Sequence, residues 1–104
     1  MKIEVLAEAE AELDDAFEYY AMIRPQLARD LLHQFKDCLE NISLNGPNHP
    51  QIETLDIEIN VRRAILNRFP YMIVFEVRAT AIRLLAFAHT ASQPNYWLSR
   101  TRDS

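Results

Sequence analysis

VRRAILNRFPYMIVFEVRATAIRLLAFAH, residues 61–89, reads as three consecutive strands. Val61 to Asn67, Tyr71 to Val77 and Ala81 to Ala88 are rich in β-branched and aromatic residues, and Phe69-Pro70 and Arg78-Ala79-Thr80 break the runs. Links this short favour antiparallel hairpins. Alternation places Tyr71, Ile73, Phe75 and Val77 on one face of the second strand. In the third it places Ile82, Leu84, Ala86 and Ala88 on one face and Arg83, Leu85, Phe87 and His89 on the other. One face is expected to take helices and the other to carry Arg83 and His89.

Upstream the period changes. Ile3 to Leu6 is a short apolar segment that fits an opening strand. Ala9, Leu13, Ala16, Phe17 and Tyr20 then recur at helical spacing, with acids concentrated near the start, where the helix dipole favours negative charge. This helix is expected to end near Arg24. Pro25 suits the first turn of a second helix, whose stripe is Leu27, Leu31, Phe35, Cys38 and Ile42. Asn45-Gly46-Pro47 ends it, with Gly46 available for a left-handed cap. The expected architecture is α+β, in the order β-α-α-β-β-β: an N-terminal helical hairpin packed on a small antiparallel sheet. Residues 1–104 form a single domain, with a short amphipathic tail from about 94 to 104 that contains Tyr96-Trp97-Leu98, Arg100 and Arg102.

Composition narrows the function. A chain of 104 residues with 49% hydrophobic and 25% charged residues is one ordinary folded domain. No apolar run approaches the ~20 residues that span a bilayer. The segment MKIEVLAEAE carries Glu4 before an apolar signal region could begin, and the one cysteine, Cys38, has no internal disulfide partner, so a cytoplasmic location is expected. The single glycine, Gly46, excludes phosphate-cradling and dinucleotide-binding loops, which need several. His33, His49, His89 and Cys38 lack metal-ligand spacing, and no G-x-S-x-G elbow exists, so neither a metal nor a cofactor is expected. The net charge of −4 divides unevenly, with −9 over residues 1–58 and +5 over residues 59–104. At this size the two halves are expected to form two faces of one body, the basic one suited to phosphates or an acidic partner. Glu8, Glu10, Glu12, Asp14, Asp15 and Glu18 read as a solvated helix surface.

The sequence resembles the RelE/ParE superfamily of bacterial type II toxins. The resemblance rests on the Tyr19-Tyr20 pair, Arg24-Pro25 leading into Leu27-Ala28, Arg62-Arg63, Arg68-Phe69-Pro70-Tyr71, the Ala86-Phe87-Ala88-His89 strand end and the Pro94-Asn95-Tyr96-Trp97 close, and it is strongest for the ParE-like branch. It implies the same β-α-α-β-β-β fold and a cognate antitoxin that masks the toxin's active surface. ParE-like members are associated with inhibition of DNA gyrase by binding, without chemistry of their own. RelE-like members cleave mRNA on the ribosome.

The two branches predict different residues. Cleavage through the 2′-oxygen needs a base, an acid and fixed positive charge at the phosphate. His89 and Tyr96 with Arg63 are the candidates for it, and Glu53, Asp56 or Glu58 with His89 would imitate a subgroup that pairs glutamate with histidine. Against the RelE pattern, Ile65 is apolar, and Met72 and Thr90 stand where arginines are expected. The binding reading instead assigns Arg62, Arg63, Arg68, Arg83, His89, Tyr96, Trp97 and Arg100 to contacts with a target or an antitoxin. Arg62, Arg63 and Arg83 are expected to face acidic antitoxin groups. ParE-like members also carry arginines after the strand-end histidine, where this chain has Thr90-Ala91-Ser92; a weakly toxic homologue kept for antitoxin binding is a further alternative. A second copy of the chain is a further candidate partner.

Overall fold

The computed structural model describes residues 2–53 and 59–102. A short strand β1 (Lys2–Val5) leads into helix α1 (Ala7–Ile23); after Arg24 the chain enters helix α2 (Pro25–Asn45). Strands β2 (Val61–Ile65), β3 (Tyr71–Val77) and β4 (Ala81–His89) follow, and a 3₁₀ turn at Leu98–Arg102 ends the described chain. The strand order is β1-β4-β3-β2. β2, β3 and β4 pair antiparallel, as the short links require, while β1 joins β4 in parallel, so the complete sheet is mixed. The crossover that a parallel pair needs is the helical hairpin itself.

The two helices meet at one extended residue, Arg24, whose backbone N–H still bonds to Tyr20 O. Pro25 then opens α2 at no cost in hydrogen bonds, since the first turn has no partner for its N–H. Gly46 does not form the expected left-handed cap; its φ of −47° and ψ of −50° are right-handed helical, and it opens a 3₁₀ turn, Gly46–Asn48. Its size matters instead, because a Cβ there would come within 2.8 Å of Ile82 Cδ1.

Apolar clusters lie on both sides of the sheet. On the helix side, Ala16, Leu31 and Ile42 pack against Ala64, Ile73, Phe75, Ile82, Leu84 and Phe87. On the other, Val61, Val74, Leu85, Ala86 and Ala88 pack around Trp97. The division corrects the alternation expected for β4. Val74 pairs with Ala86 but Phe75 pairs with Leu84, so Leu85 is an extra residue. This β-bulge sends both Leu85 and Ala86 to the second cluster and turns Phe87 and His89 to the helix side, away from Arg83.

Candidate functional site

The bulge sets the site. β1 stops at Val5, and Leu6 N–H bonds to Leu84 O, so beyond that point the outer edge of β4 has no neighbouring strand among the described residues. Two side chains occupy it. Glu12 of α1 accepts the Phe87 N–H at 3.1 Å, and Arg100 of the tail donates to Leu85 O at 2.9 Å. They stand where a further strand's carbonyl and amide would, and they bind each other, Arg100 Nη1 to Glu12 Oε1 at 2.9 Å and Nη2 to Oε2 at 3.3 Å. The Tyr96 hydroxyl donates to Glu12 Oε2 at 2.7 Å, and the Arg100 guanidinium lies 5.2 Å from the Tyr96 ring centroid. Burial, reinforced by the hydrogen bond and charge of Glu12, raises the Tyr96 pKa above its ordinary value. Arg100 is likewise held more firmly protonated: the bond to Glu12 and its charge outweigh burial, the largest single influence, which acts the other way. Glu12 is therefore no member of a solvated surface. It lies three residues after Ala9 and four before Ala16, on the stripe that α1 buries.

Beside this knot is an open cleft of about 410 Å³ lined by Glu12, Asp15, Tyr19, Tyr71, Phe87, His89 and Tyr96 among others. Its rings form a connected set. Tyr71 stacks on Phe87 with centroids 4.8 Å apart and meets His89 edge-on at 5.2 Å, and Tyr20 bridges Tyr19 to Tyr71. Burial raises the pKa of Tyr71, with the Tyr20 and Tyr19 phenols adding to it. His89 Nδ1 accepts the Ala91 N–H at 3.0 Å. Asn95, at φ 63°, adopts the left-handed conformation that asparagine tolerates. Directly after that turn, Tyr96 joins Glu12 while its neighbour Trp97, 2% exposed, enters the opposite cluster.

His89 and Tyr96 line the same cleft, but the arginines do not join them. Arg63 pairs with Val74 on the opposite face of the sheet and is exposed. Arg62 faces the helices and donates to His49 O at 2.7 Å, with its Nε buried and unpaired. Arg83 lies 3.5 Å from Glu4, and Arg68, 3.6 Å from Asp30, sits by the turn into β3. The expected separation of acidic and basic faces is corrected accordingly, because Arg68, Arg83 and Arg100 of the basic half each pair with a carboxylate of the acidic half. Trp97 is core, closed to contact. Glu53 follows the Gln51–Arg62 bridge on the far edge of β2, away from His89, while Asp56 and Glu58 lie outside the described residues. Among the described residues no three metal-ligating side chains cluster, and no helix is long and apolar enough to cross a membrane.

A second groove, about 480 Å³ between α2 and the β2 edge, is lined by Gln34, Asp37, Cys38, Asn41, His49 and Arg63 among others. Burial pushes the Cys38 thiol up to about 11, which leaves it an unreactive small hydrophobe.

Residues 3–94 match the family described as the ParE toxin of type II toxin-antitoxin system, parDE. A solved structure described as the chromosomal ParDE TA system from P. aeruginosa is similar in fold, with a TM-score of 0.70 at 17% identity over 86% of this chain and 95% of that one. No curated protein matches the sequence.

Proposed function

The chain belongs to the ParE toxin family of type II toxin-antitoxin systems, and from that premise we propose that it acts by binding, inhibiting DNA gyrase through surface contacts until a cognate antitoxin neutralises it. Family membership supports an antitoxin partner, and the resemblance to ParE-like members supports gyrase as the target. What favours binding over ribosome-dependent mRNA cleavage is the separation of the groups that cleavage would need together. His89 and Tyr96 share a cleft with Asp15, whose charge repels a phosphate, while Glu12 is paired with Arg100 and Arg63 lies on the other face of the sheet. Arg100, which lies over the Tyr96 ring beside that cleft, is committed to Glu12. A preorganised charge aimed at the transition state is typically worth about 2.7–4 kcal/mol, and the cleft offers none.

The test is gyrase supercoiling with the purified chain, alone and with the product of a neighbouring antitoxin reading frame. Supercoiling is expected to fall and to recover on addition of the antitoxin. Undiminished supercoiling alongside mRNA cut in a translating extract would overturn the proposal.

A further inference from the structure

The arginines expected to meet an acidic partner are mostly engaged within the chain, whereas the helix-side cleft presents the opposite charge. Four aromatic residues, Tyr19, Tyr71, Phe87 and Tyr96, together with His89, line it. Glu12 is largely offset by Arg100. Asp15, one turn further along α1, is exposed and makes no ion pair among the described residues. No lysine or arginine side chain lines the space, so Asp15 is left there without a paired cation.

The wall of this cleft already holds a group of the complementary kind. The Arg100 guanidinium is bound by both oxygens of Glu12 while lying over the Tyr96 ring. A planar cation with several N–H donors suits a site that combines a carboxylate with ring surfaces, because it can pair and stack at once. An ammonium has one compact point of charge and gains less from the rings.

We propose that the cleft between Asp15, Tyr19, Tyr71 and Tyr96 receives an arginine side chain from a basic segment of the chain's protein partner. The inference deepens the binding reading, on which it rests, by giving the partner's chemistry at this site: cationic and planar, the reverse of the acidic partner expected for Arg62, Arg63 and Arg83. A phosphate-bearing ligand is disfavoured here by the Asp15 charge.

The probe is N-acetyl-arginine amide titrated into the purified chain, with chemical shifts read at Asp15, Tyr19, Tyr71 and His89. Shifts that saturate and stay within the cleft are expected, with weaker binding of the lysine amide and none of the neutral citrulline amide. Asp15→Asn should weaken the arginine amide about threefold, the loss of one exposed ion pair. Absence of saturation, or shifts spread evenly along α1 and equal for lysine and arginine, would overturn the proposal and leave an ordinary acidic helix surface. Unchanged affinity in Asp15→Asn would overturn it too. Because the readout is the isolated chain, its failure leaves the gyrase assay free to succeed.

Discussion

One face of the sheet is covered by two helices of 17 and 21 residues, the other by segments with little regular structure. On the helix side, continuous elements bury Phe75, Ile73 and Leu84 against Leu31 and Ile42. On the far side, Trp97 and Leu98 of the tail lie over Val74, Leu85 and Ala88, with Ile52 and Ile59 at the margin. A helix brings its own backbone hydrogen bonds to a surface, whereas a tail must be tied down. Here the tie is a carboxylate of α1, reaching past the end of β1 along the edge of β4 to Arg100 and Tyr96. The contrast shows which residues are free to meet a partner: the tail's Trp97 and Arg100 hold the fold together, and the open aromatic cleft lies on the helix side.

The strongest way to break this comparison is to remove one large side chain from each face. Trp97→Ala and Phe75→Ala should each cost about 3–5 kcal/mol in denaturant unfolding, since both are buried and truncation leaves a cavity. If Trp97→Ala cost under about 1 kcal/mol, the tail would be a loose cover and the second cluster no part of the folding unit.

Next is the tie itself. Glu12→Ala strands a part-buried guanidinium and the Phe87 N–H, and should cost about 1–3 kcal/mol. Hydrogen exchange sharpens the point: amides of residues 97–101 should lose protection while those of α2 keep theirs. Equal loss in both would mean that Glu12 supports the helices and not the tail.

Smaller effects come from groups whose pKa is raised on folding. A group that holds its proton more tightly when folded contributes stability that is complete below its unfolded pKa and is lost as pH rises beyond it. For Cys38, raised from 9.0 to about 11, the loss falls between about pH 9 and 11. For Tyr96, raised from 10.0, it begins near pH 10. Thermal unfolding followed across that range should therefore show stability falling, and less steeply in Tyr96→Phe, which should itself lose about 0.5–1.5 kcal/mol at neutral pH with the Glu12 bond.

Much of the fold could be read from residue order. Pro25 marked the start of α2, and the alternation from Tyr71 to Val77 gave β3 and its faces as they stand. β4 resisted because Leu84 to Ala88 is apolar throughout, so nothing in the pattern located the extra residue at Leu85, and one residue's shift moved Phe87 and His89 across the sheet. Gly46 was recognised as a helix end but for the wrong property, since the neighbouring Ile82 methyl is visible only in three dimensions. For the site, His89 and Tyr96 line one cleft, while Arg62 and Arg83 are held apart from them by internal partners. Glu12 was missed among its acidic neighbours, although its position between Ala9 and Ala16 on the apolar stripe was a signal.

The central claim, that this ParE-family chain binds its target and cleaves nothing, is tested most directly by pulse-labelling new DNA and new protein in a bacterial host minutes after induction, with His89→Ala and Tyr96→Phe alongside. The account predicts that DNA synthesis falls first, in the parent chain and in whatever activity His89→Ala and Tyr96→Phe keep. Translation falling first, with relief by His89→Ala, would contradict it.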